Sequence, residues 1–345
     1  MNNIGVIGYS NNSGLGQMIR NFRKFNIVSS QFIIDHPIKG THALEFPHTI
    51  GSHIPTIEQL QQYIDTCNPK AVIVIETPFN FEFFEYLHKQ GIKVFVIPMV
   101  DSISYKQFEP YEQFIEKFLM PTRWGFEFYQ TLTGKARYLP FIIDTDYFKP
   151  VTQYVTRADF LHNQGFGGAG FRKGTEQVFT AFTQLKGMYQ YATLWVNSQP
   201  CEEQHSQIKP NTPGVLLKIG DIAEARDTYK YGKVYVAPSK REGLGLPILE
   251  AMACGLPVIT TDGAPMNEWF DDKRLLVKVR GAQPLPYGDI SMYTPDVYDL
   301  MMKMKWCIDH PQEVEMMGID NRRIVVENYS YGALKDKYIE ALRVN

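Results

Sequence analysis

The chain has 345 residues, 44% hydrophobic and 21% charged, which suits a water-soluble globular protein long enough for two separate cores. A formal net charge of -2 gives no global field for nucleic acid or an anionic membrane surface, although a local basic patch stays open. The four cysteines, Cys67, Cys201, Cys254 and Cys307, lie far apart and match no metal-binding spacing.

No basic stretch followed by a long apolar run opens the sequence, and no apolar run is long enough to span a bilayer. With Cys67 and Cys254 inside helical patterns as buried thiols, these features predict a cytoplasmic protein. The first element is a short apolar strand, Ile4 to Tyr9. Ser10 to Gly16 reads as a loop, and a helix follows with Met18, Ile19, Phe22 and Phe25 on one face. Gly14 and Gly16 serve either a tight strand-to-helix turn or a close backbone approach to a ligand. They are not the dinucleotide fingerprint, because the third glycine is missing. Arg20, Arg23 and Lys24 make the polar side of this helix basic, as a solvated face or as a membrane or polyanion contact.

Further strands are predicted at Val28 to Ile34, Ala71 to Glu76, Val94 to Ile97, Phe118 to Met120 and Arg137 to Leu139. Helical patterns lie between them at Thr56 to Cys67, Phe81 to Gln90 and Trp124 to Thr133. This alternation predicts a parallel sheet covered on both faces, with ligands outside the carboxyl ends of its strands. Glu76 and Asp101 are the ionisable residues in those loops. Asp101 can act on an acceptor hydroxyl as a base or orienter, or cap a helix; Glu76 reads as a cap or orienter. Phe79, Phe81, Phe83, Phe84 and Tyr86 form an aromatic cluster expected to be mostly core.

Ile142 to Pro150 reads as a crossover into a second domain. After a strand ending at Phe160 and Leu161, the stretch His162 to Gly174 reads as a loop with four glycines, Gly167 and Gly168 among them, before the pair Arg172-Lys173. Backbone amides and two cations at a helix start make an anion cradle suited to a diphosphate. His162 and Asn163 read as structural. Strands at Thr193 to Val196, Gly214 to Ile219, Val234 to Ala237, Val258 to Thr260 and Leu275 to Val279 complete a second alternating set. Asp221 to Tyr231 reads as a short helix and Ala282 to Pro295 as an irregular Pro-rich insertion. Helices at Asp296 to Asp309, Pro311 to Asn328 and Tyr331 to Arg343 end the chain.

The stretch Val234 to Gly263 carries the strongest pattern. A buried strand is stopped by Pro238. Glu242 and Glu250 follow, with seven residues between them, Gly243 and Gly245 just after the first and a helix start from Leu246. Pro247 is tolerated in the first turn, and the free amides of that turn suit an anionic or polar ligand.

The run from Glu242 to Ile259 resembles the signature of the retaining GT-B glycosyltransferases that use nucleotide sugars (the group 1, E-x7-E type). Gly14-Leu15-Gly16 resembles the first-strand loop of that family, Asp144 to Pro150 its domain-joining segment, Arg172-Lys173-Gly174 its diphosphate corner and Leu217 to Asp221 its base-holding loop. The resemblance implies an α/β GT-B fold of two Rossmann-like domains facing across a cleft. An acceptor-side domain would cover 1–150, a donor-binding domain 151–328, and a helix over 329–345 would cross back to the first.

It also implies roles. Glu250 would bond the ribose hydroxyls, and Ile219 would lie against the base. Glu242 and the amides of Gly243, Leu244, Gly245 and Leu246 would face the sugar and phosphates. Arg172 and Lys173 would stabilise the departing diphosphate without a metal or other cofactor. Many relatives have a histidine in the loop that is Pro98 to Ser102 here; this loop has none, and Asp101 is the residue placed to substitute. The expected activity is transfer of a hexose from a nucleotide diphosphate sugar, a UDP-sugar above the others, to an unidentified acceptor. A nucleotide-sugar epimerase or hydrolase, or a non-catalytic nucleotide-sugar binding module, are the alternatives.

Overall fold

The computed structural model describes residues 3–11, 13–37, 41, 46–76, 78–151, 157–165, 169–199, 207–220, 222–286 and 288–343. They divide into two compact units: Met1–Ile142 with Pro286–Asp289 and Tyr331–Asn345, and Ile143–Leu285 with Ile290–Ser330. The first segment of unit 1 stops at Ile142, where the sequence places the domain boundary at Pro150. Among the described residues no helix is long and apolar enough to cross a membrane.

Unit 1 alternates strands and helices: β1 (Ile4–Gly8), α1 (Gly14–Lys24), β2 (Ser30–Ile34), β3 (His48–Gly51), α2 (Ile57–Cys67), β4 (Ala71–Ile75), α3 (Glu82–Lys89), β5 (Lys93–Ile97), α4 (Tyr105–Phe108), β6 (Lys117–Met120), α5 (Arg123–Gln130) and β7 (Ala136–Tyr138). All seven strands form one parallel sheet in the order β3-β2-β1-β4-β5-β6-β7. Every residue of β1, β2 and β4 is buried, as a strand covered on both faces requires. Thr56 and Gln59 cap α2 reciprocally, and Asn68 ends it in the left-handed conformation. Of the aromatic cluster, Phe83 and Phe84 are fully buried, while Phe79, Phe81 and Tyr86 pack on the margin of the core.

Three expectations here need correction. Gly14, Leu15 and Gly16 form the first turn of α1 rather than a loop, capped by the Ser13 side chain. Strand β3 was not expected, because an edge strand with three of four residues partly or fully exposed shows no apolar run. Nor was the short helical segment from Tyr105 to Phe114, whose Tyr105 and Phe108 are buried in the core while Tyr111 and Phe114 pack against it.

Unit 2 contains β8 (Ala158–Gly165), α6 (Ala169–Arg172), α7 (Thr175–Lys186), β9 (Leu194–Ser198), β10 (Val215–Ile219), β11 (Gly232–Ala237), α8 (Leu246–Ala253), β12 (Val258–Thr261), β13 (Leu276–Val277), the strands β14 (Val279–Pro284) and β15 (Ser291–Pro295), α9 (Val297–Asp309) and α10 (Pro311–Tyr329). Its parallel sheet runs β10-β9-β8-β11-β12-β13, the same order as the first six strands of unit 1. The final helix α11 (Tyr331–Ala341) belongs to unit 1. There Tyr338 is buried, donates to the Pro140 carbonyl at 3.1 Å and meets Phe22 edge-on.

Strand β8 runs past Leu161 through residues read as loop. Each polar side chain finds a partner inside the unit. Both ring nitrogens of His162 lie 2.8 Å from an acceptor or hydroxyl, Val236 O and Thr175 Oγ1. Asn197 donates to Asn163 Oδ1 at 2.9 Å, and Gln164 donates to Ser198 Oγ at 3.1 Å. Polar residues can thus stay in a buried strand. The stretch expected as an irregular insertion is instead an antiparallel pair, β14 with β15. The expected helix after Gly220 is only a 3-10 turn, Ala225–Tyr229.

Candidate functional site

Both sheets reverse strand order beside their first strand, between β1 and β4 and between β8 and β11. Ligands in such sheets bind beyond the carboxyl ends of the strands at this reversal. Gly14 to Gly16 and Glu76 follow β1 and β4 in unit 1, and Arg172, Lys173 and Glu242 follow β8 and β11 in unit 2.

In unit 2 two loops meet backbone to backbone. Gly174, the cap of α7, has φ +71°, and a Cβ on it would lie 2.3 Å from the Pro238 carbonyl oxygen, so only glycine fits. The Lys240 N–H donates to the Arg172 carbonyl at 2.7 Å. Gly245, the left-handed cap of α8, would collide with the Trp269 ring at 2.3 Å if it carried a Cβ. These contacts bring Arg172-Lys173 against the segment from Pro238 to Leu246.

Glu242 is the centre of this arrangement. It is 5% exposed and accepts from Lys173 Nζ at 2.6 Å, Arg172 Nη1 at 2.9 Å and Ser239 Oγ at 2.6 Å. Burial alone would raise its pKa, but Lys173, Arg172 and the hydrogen bonds outweigh it and hold the carboxyl at about 2. It is a fixed anion that orients both cations. Lys240 sits 3.7 Å over the Phe171 ring, and burial lowers its pKa. His162 lies beneath, neutral, with its pKa pushed down to about 4 by burial and opposed by its bond to Val236.

Glu250, on α8, accepts from the Tyr229 hydroxyl at 2.6 Å. Gly243, Leu244, Gly245 and Leu246 are all buried between Glu242 and the helix. Ile219 ends β10 and is 59% exposed. Gly167, Gly168 and Asp221 lie outside the described residues. Ser239, Lys240, Tyr229 and Trp269 were missed, since each is a single side chain whose role comes from a contact far along the sequence.

In unit 1, Gly16 serves packing: a Cβ there would lie 2.0 Å from the Asn11 carbonyl oxygen. Ser13 Oγ accepts its N–H at 3.2 Å. Glu76 directly follows β4 and is held at φ +67°, a conformation that costs a non-glycine residue free energy and often marks a functional position. Burial pushes its pKa up to about 7, the Asp101 charge adds to this, and a bond from Ser102 opposes it. Burial and the charge of Glu76 raise the Tyr9 phenol in turn. Ring centroids place Tyr9 4.9 Å from His36 and 5.7 Å from Phe79, with His53 5.3 Å from Phe79.

The loop bearing Asp101 is clamped by the segment Pro286–Asp289 of the same unit. The Asp289 N–H donates to Val100 O at 2.7 Å, and its carboxylate accepts from Ser104 Oγ and the Tyr105 N–H, both at 2.7 Å. Gly288 has φ +77°, and a Cβ would lie 2.7 Å from Val100 O. Unit 1 therefore presents two carboxyls, one of them half protonated near neutrality, beside aromatic and imidazole rings. Unit 2 presents two oriented cations at a helix start.

Residues 165–285 match the family model described as Glycosyl transferases group 1. Among curated proteins, the chain is 42% identical over 53 residues to the lipopolysaccharide core biosynthesis mannosyltransferase LpsB of Rhizobium meliloti (strain 1021), covering 15% of each chain. It is 28% identical over 111 residues to the mannosyltransferase LpcC of Rhizobium leguminosarum bv. viciae, covering 30% of this chain and 32% of that protein. The matched stretches thus span well under two thirds of these relatives. Among solved structures, Anabaena HepE in complex with UDP and glucose superposes with a TM-score of 0.75 at 12% identity, covering 99% of both chains. Sucrose-phosphate synthase from Thermosynechococcus elongatus gives 0.74 at 15% identity, covering 99% of this chain and 98% of that one. At these identities the likeness shows the fold, two Rossmann-like units of the GT-B class.

Proposed function

We propose, from the match of residues 165–285 to the group 1 glycosyl transferase model and from the GT-B fold of the chain, that this protein is a glycosyltransferase. It moves a hexose from a nucleotide diphosphate sugar, a UDP-sugar above the others, to an acceptor hydroxyl. The reaction retains the anomeric configuration and needs no metal. The observation that carries this reading is the buried Glu242 with Arg172 and Lys173 bonded to it at 2.9 Å and 2.6 Å. The UDP and glucose bound to HepE support the choice of donor, and the mannosyltransferase relatives support a hexose.

Breaking an anomeric C–O bond to a diphosphate leaves an oxocarbenium-like centre and an anionic leaving group. Cations already held in place, with the amides of Gly243 to Leu246, stabilise that charge as it develops and need little reorganisation. Each charge-assisted contact contributes roughly 1.5–3 kcal/mol. Glu242 keeps the two cations oriented, so no divalent ion is needed for this task. Glu250 takes the ribose hydroxyls, its orientation set by Tyr229, and Ile219 lies against the base. Asp101 and Glu76 receive the acceptor hydroxyl. The leaving phosphate takes the acceptor's proton on the same face, which gives retention.

A panel of UDP-, GDP- and ADP-sugars, scored by nucleotide release with pooled acceptors, tests this. The expected result is acceptor-dependent UDP release, undiminished by a chelator, with the product's anomeric configuration unchanged by NMR. A UDP-induced thermal shift without any release would make the protein a binding module. Release of free sugar alone would make it a hydrolase, and an isomerised nucleotide sugar an epimerase.

A further inference from the structure

Unit 2 holds a cavity of about 550 Å3 at the ends of its strands opposite the candidate site. It opens beside Asp159 at the start of β8, Lys233 at the start of β11 and Pro257 just before β12, and α9 and α10 flank it. Its size lies within the range of small-molecule sites. None of the residues placed around the donor lines it.

The charges in its wall do not balance. Lys233 is paired with Asp159 at 3.0 Å, and Asp159 is also bonded by the Thr193 N–H and hydroxyl at 3.0 Å, so this pair is internally matched. Arg322 gives its guanidinium to the carbonyls of Phe148, Ala253 and Thr145, which fix its position; the charge of Asp146 also acts on it, without an ion pair among the described residues. Arg157 lines the cavity with no hydrogen-bonded or ion-paired partner among the described residues. Both guanidiniums are close enough to Cys254 to pull its thiol pKa down, against the burial that pushes it up to about 12. Both line the same cavity. The remaining carboxylate of the wall, Glu315, is exposed at the rim. The rest of the accessible wall is apolar, from Ile308, Pro311 and Val314 to Ile319, which is 56% exposed.

We propose that this cavity binds a single-chain amphiphilic anion, with its headgroup on Arg157 and Arg322 and its chain along Ile308, Pro311, Val314 and Ile319. An unpaired guanidinium at the end of an apolar wall selects for a ligand with a charge at one end and hydrocarbon behind it. A hydrophilic anion would leave the wall wet, and a neutral chain would leave Arg157 without a partner.

Calorimetric titration of the full chain with decyl phosphate, kept below its micelle concentration, tests the assignment. Saturable binding at one site is expected, with inorganic phosphate and decanol each at least about tenfold weaker. Arg157→Gln should weaken decyl phosphate about tenfold, and Arg157→Lys should restore most of the loss. Ile319→Ser, at an exposed position that folding does not depend on, should weaken it severalfold while leaving phosphate unchanged. UDP binding should be the same in all three variants. Equal affinity of Arg157→Gln and the parent for decyl phosphate would overturn the proposal. So would inorganic phosphate or decanol binding as tightly as decyl phosphate, or binding that never saturates.

Discussion

Two glutamates stand at the same topological place in the two units. Glu76 follows β4, which lies beside β1, and Glu242 follows β11, which lies beside β8. Both are desolvated, and burial raises the pKa of each. Their neighbours decide the outcome. Glu242 has two cations and a hydroxyl within 2.9 Å and ionises at about 2. Glu76 has the like charge of Asp101 and holds its proton up to about pH 7. One sheet plan thus supports a permanent anion that orients cations in one unit and a proton-holding carboxyl in the other. Burial is common to both, so it does not specify the chemistry; the side chains delivered by neighbouring loops do.

The largest effect should come from breaking the matched pair. Glu242→Gln leaves Lys173 and Arg172 without their counter-charge in a buried setting, and urea denaturation at pH 7 should show a loss of about 3 kcal/mol. Because the folded pKa of Glu242 lies below its unfolded value, its contribution is full above about pH 4.5 and fades as pH falls toward about 2. The difference between parent and variant should shrink over that window. A difference independent of pH would mean that Glu242 acts through packing alone.

The opposite sign is expected at Glu76. Its folded pKa is raised, so the parent loses stability as pH rises from about 4.5 through about 7. Glu76→Gln should be more stable than the parent at pH 8, by on the order of 2 kcal/mol, and equal or less stable at pH 4. A parent whose stability is flat between pH 5 and 8, on the same denaturation curves, contradicts the raised pKa.

A smaller effect separates the two causes at Glu76. Asp101→Asn removes the like charge and leaves burial in place. The Glu76 carboxyl, followed by 13C NMR, should then titrate lower by about one pH unit yet stay above the ordinary range. A return to about 4.3 would assign the whole shift to Asp101.

Much of this plan is legible in the residues. Runs such as Ala71 to Ile75 cannot be solvated on either face, and the glycines at 174 and 245 mark backbone positions where no side chain fits. The Arg172-Lys173 pair before Gly174 and the turn carrying Glu242 are readable because residue type and spacing are both constrained there. The long polar end of β8 was not readable, since His162, Asn163 and Gln164 stay buried only through partners at Val236, Asn197 and Ser198. The clamp of Asp289 on Ser104 and Tyr105 spans more than 180 residues, and no local pattern announces it. Glu76 was legible as a loop carboxylate; its left-handed backbone and raised pKa follow from tertiary contacts alone.

The most direct test of the donor site is calorimetric titration of UDP into the parent, Lys173→Ala and Glu250→Ala. The arrangement of Arg172, Lys173 and Glu242 predicts saturable binding to the parent and a loss of at least about tenfold in each variant, from the diphosphate in one and the ribose in the other. UDP binding that is unchanged in both would contradict the assignment.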